Sequence, residues 1–476
     1  MTDVGSALEV LLDSALEPIV ELVLVRDGDA VEAHAVDGHV RFDAAGKVLE
    51  SSGRNPLGDQ STDRFAGLPN ELDALQPHRA TNSYPFAYEQ AVQLFDHPAA
   101  PDLCVIHTAA HNWADQGGHL GEHGSIDVVQ ARAPFIIAGA GVRSSGVLDQ
   151  ACKLVDVAPT VLSLLGGSLE RTDGDVLEEV IDRSAPPPER VIGFLWDGCN
   201  PNVLYDAAAN GEAPNVARLM AMGTTFGHGA MSSLPTVTLA NHTSVLTGLH
   251  PGHHGILHNA WFDRATGEQV ITNSPETWIT AASWLFPGVE TMHHAVHRCW
   301  PGACTVSVNE PTDAGADYST FEMLRRGVPM DRPPAPESLP NADQRFVRPV
   351  KEYRWSSRAD HTTVQQFLGV WSGQYLGSDW PLPKFTWCNF TLTDAAFHEG
   401  GPHSEIARAS VRDSDARLGA ILDGVERSGE WDRTAFFLVA DHGMEETNPS
   451  VTGDWGPVLR DAGIAHRDEA FGFIYL

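Results

Sequence analysis

Three acid and histidine clusters and one hydroxyl-rich segment carry the chemistry this chain could perform. Asp197 closes the apolar run VIGFLWDG, Asp394 and His398 stand four residues apart in NFTLTDAAFHEGGPH, and Asp441 and His442 are adjacent in FFLVADHGM. Carboxylate oxygen and imidazole nitrogen are both zinc ligands. A four-residue spacing on a helical turn points Asp394 and His398 the same way, and Asp-His-Gly after a buried strand sets two ligands on a tight turn. Taken singly, Asp197 reads more readily as a turn or helix-capping aspartate, and each of the two pairs reads equally well as a capped helix start or a surface turn. Together they point to a metal centre. The hydroxyls lie in SSLPTVTLANHTSVLTGLHPGHHGILHNAWFD, residues 232–263, where a turn-rich stretch leads into a short helix. A hydroxyl is a weak nucleophile at neutral pH unless a base or metal lowers the cost of its alkoxide. Thr236, Thr238 and Thr243 are all placed for that role, and all three are equally placed to cap the helix.

Positioning such groups requires a frame. Short apolar runs bounded by turn residues occur at 21–25, 103–107, 133–139, 191–198, 385–392 and 435–443, and they read as strands of a parallel sheet buried on both faces. Helical patterns at 214–222 and 404–428 alternate with them. The expected fold is therefore α/β, a mostly parallel sheet between helical layers with ligands at its strand ends. The proline run Ser184–Glu189 splits the chain into segments 1–185 and 186–476. Within the second, residues 261–384 are dense in proline, tryptophan and histidine and read as a cap, where Trp300, Trp355, Trp371 and Trp380 could line a pocket.

Charge narrows the partners. With 63 acidic against 31 basic residues the formal charge is −32, which repels duplex nucleic acid and anionic membranes. A small anionic substrate remains compatible, because bound cations reverse the local field. No apolar run approaches the ~20 residues of a membrane-spanning helix, the first residues do not read as a signal peptide, and six scattered cysteines form no disulfide framework. A cytoplasmic protein is expected.

The stretch PTVTLANHTSVLTGLHPGHHGILHNAWFD, with the three clusters, resembles the type I phosphodiesterases and nucleotide pyrophosphatases of the alkaline phosphatase superfamily. The resemblance implies an alkaline phosphatase-like α/β/α sandwich with a smaller cap, acting on a small phosphate ester or nucleotide. It makes Thr238 the nucleophile and Asn259 a holder of a phosphoryl oxygen. It assigns Asp197, Thr238, Asp441 and His442 to one zinc ion, and Asp394, His398 and a further histidine to a second; manganese suits the same donors. In the family that last histidine follows Asp-His-Gly at a distance. Here only His466 does so, whereas GGHLGEHGSIDVVQARAPFIIAGAGV and LVDVAPTVLSLLGG in the first third resemble the C-terminal part of the superfamily fold, with His123 in the ligand position. The expectation is a circular permutation in which 1–185 supplies His123 and both segments form one catalytic domain. His111 and His119, the latter four residues after Asp115, are neighbouring competitors. A separate degenerate module with His466 completing the site is the alternative, and a homodimer exchanging the His123 segment is a third arrangement.

The family often has phenylalanine after the nucleophile, where it stacks a nucleobase, and lysine before it; this chain has Leu239 and Val237. Phosphomonoester or phosphonate hydrolysis is therefore the enzymatic runner-up, and a metal-stabilised binding protein without catalysis the reading from another class. No Cys/Ser-x-Pro-x-Arg motif of a sulfatase is evident, and cofactor-independent phosphoglycerate mutases use serine rather than threonine.

Overall fold

Strand Arg190–Trp196, whose side chains are almost all buried, lies at the centre of an eight-stranded sheet. It runs parallel to Phe385–Phe390 on one side and to Thr434–Val439 on the other. Thr305–Val308 and Tyr318–Ser319 extend the first side in parallel; Phe135–Gly139, Gly223–Phe226 and Gly146–Leu148 extend the second. Among the described strands of this sheet Phe135–Gly139 alone runs against its neighbours, so the run at 133–139 is not the parallel strand expected of it. The computed structural model describes residues 4–113, 117–328, 351–470 and 472–476, and Asp115 lies outside them.

Helices cover both faces of this sheet. Phe385 meets the ring of His293, on helix Met292–Cys299, at a centroid distance of 5.0 Å, whereas the next residue, Thr386, receives a hydrogen bond from Trp371 of helix Lys351–Trp371. Successive strand side chains point to opposite faces, so these helices form the two outer layers of an α/β/α sandwich, as the sequence led us to expect. Strand Phe135–Gly139 lies between Thr434–Val439 and Gly223–Phe226. The stretches on either side of the proline run thus share one sheet.

The runs at 21–25 and 103–107 depart from expectation. They belong to a second, seven-stranded sheet in which Val20–Asp27 pairs antiparallel with both Ala30–Ala35 and Leu103–His107. Burial on both faces was read correctly: Leu22 and Leu24 join one core cluster, while Val23 and Val25 join another with Trp455 and Leu459 of helix Trp455–Asp461. Burial does not by itself set strand direction. The direction was written in Asp27-Gly28, where Gly28 takes φ +60 in the tight turn that opens a hairpin. The C-terminal strand Phe473–Tyr475 also joins this sheet, beside Leu103–His107.

Residues 261–384 are not one cap. Thr305–Val308 is a fully buried strand of the central sheet and helix Lys351–Trp371 packs on that sheet. Its alternating threonine, valine and serine escape a search for apolar runs. Outside the sheet stand the hairpin Ala260–Asp263/Glu268–Ile271 and the 3₁₀ stretch Trp278–Trp284, and 329–350 lie outside the described residues. All six cysteines are unpaired, and among the described residues no helix is long and apolar enough to cross a membrane.

Candidate metal and catalytic centre

The predicted ligands gather at the C-terminal ends of the three central parallel strands. Asp197 follows Arg190–Trp196, and its backbone N–H donates to Phe390. Asp441 and His442 follow Thr434–Val439, with one Asp441 oxygen accepting from the Gly198 N–H at 3.0 Å. Gly198 has φ +62, and a Cβ there would come within 2.7 Å of Asp394 Oδ1, so glycine is required for this approach. Asp394 and His398 lie in helix Leu392–Gly400 after Phe385–Phe390, with His398 Nε2 3.3 Å from Asp394 Oδ1.

His123 reaches the same place from the first third of the chain. Its Nε2 lies 3.2 Å from His398 Nε2 and 3.8 Å from Asp394 Oδ1. Its loop is tied to the segment before helix Thr238–Thr247: Thr236 accepts from Gly124 N–H through its hydroxyl and donates to the Ser125 carbonyl. Asp197, Asp394 and His442 form a second group that could hold an ion, and Asp197, His242 and Asp441 a third. His466 joins none of these groups; its Nδ1 donates to the Ile464 carbonyl. His119 forms a group with Glu122 and His398, and His111 bonds the Gly453 carbonyl instead.

The donor set fits metal ions on the structure's own terms. Nδ1 of His123, His398 and His442 each donates to a backbone carbonyl, of Thr236, Gly121 and Gly443, at 2.8, 2.7 and 2.9 Å. A carbonyl only accepts, so once a cation takes the place of the second ring proton each imidazole presents a bare Nε2 lone pair inward, the tautomer a metal requires. Asp197 Oδ1, Asp394 Oδ1, Asp441 Oδ2 and His442 Nε2 are buried without a hydrogen-bond partner, a cost that a cation removes. The charges show the same frustration. Burial, with Asp441 and Asp394 nearby, pushes Asp197 well above the usual carboxylate range. Burial opposes charge on His398 and His442, yet Asp394 and Asp441 override it and hold these imidazoles up to about 10 and about 9. His123 is driven down to about 3 by burial and then by His442 and His398.

Thr238 is the first residue of helix Thr238–Thr247. It lines two cavities that also share Asn273 and Asp394. Asn259 accepts the Leu239 N–H at 3.1 Å through Oδ1, which turns its NH₂ away as a donor, and the residue lines the larger cavity with Thr238. Thr236 holds the His123 loop and Thr243 bonds within its own helix to Leu239, so Thr238 is the one of the three threonines that lines the cavities.

Sequence reasoning missed two residues here. His242, four residues after Thr238, points Nε2 at Asp441 Oδ2 and Asp197 Oδ2, at 3.5 and 3.7 Å. Its Nδ1 lies 2.8 Å from Glu310, a fully buried carboxylate that also accepts from Trp387 and Thr312. The helical spacing from Thr238 was a readable signal; Glu310, in a loop after Thr305–Val308, offered none. Of the four tryptophans proposed for a pocket, Trp355 lines the smaller cavity with Trp278 and Phe321. Trp371 is core, Trp380 donates to the Tyr375 carbonyl and Trp300 lies under Lys384. Leu239 also lines the smaller cavity.

A family model described as type I phosphodiesterase/nucleotide pyrophosphatase matches residues 191–476, starting just past the proline run. Among curated proteins, the chain is 22% identical over 282 residues to an uncharacterized pyrophosphatase/phosphodiesterase of Schizosaccharomyces pombe, covering 58% of this chain and 47% of that one. It is 24% identical to ectonucleotide pyrophosphatase/phosphodiesterase family member 3 of Mus musculus, covering 55% and 25%. The chain thus spans about half the length, or less, of these relatives. Among solved structures, phosphonoacetate hydrolase from Sinorhizobium meliloti 1021 is similar at 23% identity over 54% of this chain and 58% of that one; its TM-score of 0.36 carries no argument.

Proposed function

The chain belongs to the type I phosphodiesterase/nucleotide pyrophosphatase family, and from that premise we propose that it is a two-metal hydrolase cleaving phosphodiesters or nucleotide pyrophosphates through a phosphothreonine on Thr238. The observation that carries this reading is the convergence of three inward-facing imidazoles and three carboxylates beside the cavities that Thr238 lines.

Asp394, His398 and His123 would hold one ion, and Asp197, Asp441, His442 and Thr238 the other. Zinc suits these nitrogen and oxygen donors best, and manganese is the next choice. Such ions, when bound, stabilise an alkoxide and neutralise phosphoryl charge. The rest is done by the chain. Thr238 Oγ1 forms the new bond to phosphorus as the ester bond to the leaving oxygen breaks, and water then cleaves the phosphothreonine and restores the hydroxyl. Asn259, its amide fixed by the Leu239 N–H, donates to a non-bridging oxygen as charge grows there.

Circular permutation is part of the proposal: residues 1–185 supply His123 to ligands that all come from 186–476. The insertion of Phe135–Gly139 between strands of the second segment supports one catalytic domain rather than an appended module. Chain termini that lie close at a surface tolerate such relinking. A site completed by the chain's own His123 needs no exchange in a dimer, and six unpaired cysteines support a cytoplasmic setting.

The test is metal content together with initial rates on a bis-aryl phosphodiester and an aryl phosphomonoester, for wild type and Thr238→Ala. About two metals per chain and diester turnover that disappears in the variant are expected. Faster monoester turnover selects the runner-up, and metal without turnover of either ester selects the binding protein.

A further inference from the structure

The larger cavity at the site, about 340 Å³, lies where the two sheets meet. Thr238, His123, His398 and Asp394 line it on the side of the central sheet. Val105 and Ile106 of strand Leu103–His107, Phe473 of the C-terminal strand and Ile271 of the hairpin line it elsewhere. Among its described lining residues there is no lysine or arginine, and the fixed charges are the carboxylates Glu122 and Asp394. The smaller cavity likewise has neither cation among its described lining residues.

We propose that the group expelled from phosphorus is an uncharged, largely apolar alcohol or phenol seated in this larger cavity, and that pyrophosphate is excluded from it. The inference rests on the hydrolase reading with Thr238 as nucleophile. In-line displacement puts the leaving oxygen opposite Thr238 Oγ1, on the side of His123 and His398, which border the larger cavity and not the smaller one. Asp197 and His242 line the smaller one instead, which leaves that chamber for the substituent retained on phosphorus. A hydrocarbon ring or chain in the larger cavity lies against walls that Val105, Ile106 and Phe473, all buried, help to build, and it takes from water the exposed side chain of Ile271, which is favourable in proportion to the area covered. A pyrophosphate would have its leaving oxygen beside the metal ligands, and its far phosphoryl group among aliphatic walls, the polar side chains His107, His119, His258 and Asn273, and Glu122, with no lysine or arginine among the described lining residues to pair it. Anionic charge buried without a partner is strongly disfavoured. The volume matches a small-molecule site.

The test uses two substrates that transfer the same thymidylyl group. The phenyl ester of thymidine 5′-phosphate expels phenol, and thymidine triphosphate expels pyrophosphate. With the metal-loaded wild type, kcat/KM is expected to favour the phenyl ester by at least about 100-fold. Ile271, 43% exposed on the hairpin, tolerates replacement, and Ile271→Lys should move the ratio toward the triphosphate by about tenfold. Equal turnover of the two, or a ratio that Ile271→Lys leaves unmoved, overturns the proposal. Calorimetric titration of the metal-loaded protein with phenol reads the cavity apart from catalysis, and Ile271→Trp should abolish the binding. Phenol binding with neither ester cleaved would sink the hydrolase reading and support the cavity assignment; triphosphate cleavage without phenol binding would do the reverse.

Discussion

The imidazoles of His123 and His442 are stacked, with ring centroids 3.7 Å apart and planes within 18°, although they come from opposite sides of the proline run. His442 sits on the turn after a central strand, and His123 on a loop clamped to Thr236 by three hydrogen bonds. The candidate metal ligands are therefore drawn from the two segments on either side of the proline run.

Removing His123 should consequently remove one metal and leave the other. His123→Ala is expected to fall from about two ions per chain to about one, with activity lost, because two protein ligands hold an ion poorly. His466→Ala should bind and turn over as wild type, since its ring bonds the Ile464 carbonyl at a separate place. Elemental analysis after dialysis, beside rates, checks both, and the opposite pattern would refute the permutation.

Asn259 separates two jobs that one substitution can divide. Asn259→Asp keeps an oxygen to accept the Leu239 N–H and loses the NH₂ donor, so the helix start should stay in place while the phosphoryl oxygen loses a partner. A fall in kcat of about 10²–10³ with unchanged thermal midpoint is expected, the usual cost of one donor at a developing anion. An unchanged kcat would show that the amide faces no reacting group.

What could be read from the sequence depended on how local the signal was. Asp394 and His398 were legible because one helical turn fixes their geometry, and Asp441-His442 because a buried strand ends just before them. His123 was legible through resemblance alone, since nothing near it in sequence shows that a distant helix and strand will meet its ring. The second sheet was misjudged because Leu22, Val23, Leu24 and Val25 are buried on both faces by covering helices and loops, a state that parallel sheets usually produce. Thr305–Val308 was missed because Thr305 and Ser307 alternate with its valines, so no continuous apolar run marks a strand that is nevertheless fully buried.

The Glu310–His242 pair gives a prediction about ligand positioning. Glu310 has no exposure and holds His242, which faces the oxygens of Asp197 and Asp441. Glu310→Gln should weaken metal binding by about 10–100-fold, the typical effect of losing a group that orients a ligand. The fold should persist, because Gln keeps the volume and the one oxygen that serves both Trp387 and His242; the negative charge behind His242 and the acceptor for Thr312 are what is lost. Competition with a chelator measures the affinity directly; an unchanged value would make the pair a packing feature only.

Away from the centre, Glu21 predicts a pH dependence of stability. Its side chain is buried on strand Val20–Asp27, where it accepts the Tyr84 hydroxyl. Burial raises its pKa from 4.5 to about 7; the Tyr84 bond, Arg79 and Arg54 pull it down and Asp127 pushes it further up. The folded state therefore holds this proton more tightly than the unfolded chain. Stability falls as pH rises from about 4.5 through about 7 and levels off above, because there both states are ionised and the folded one carries the buried charge. Glu21→Gln mimics the protonated acid and keeps an oxygen for Tyr84. Its stability relative to wild type should therefore grow across that window, reaching on the order of 3 kcal/mol above pH 7. Urea midpoints of both proteins at pH 5, 6, 7 and 8 measure the difference, with titrations common to the two cancelling. A gap that stays constant with pH would mean that Glu21 is already ionised throughout, held by Arg79 and Arg54 more strongly than its burial opposes.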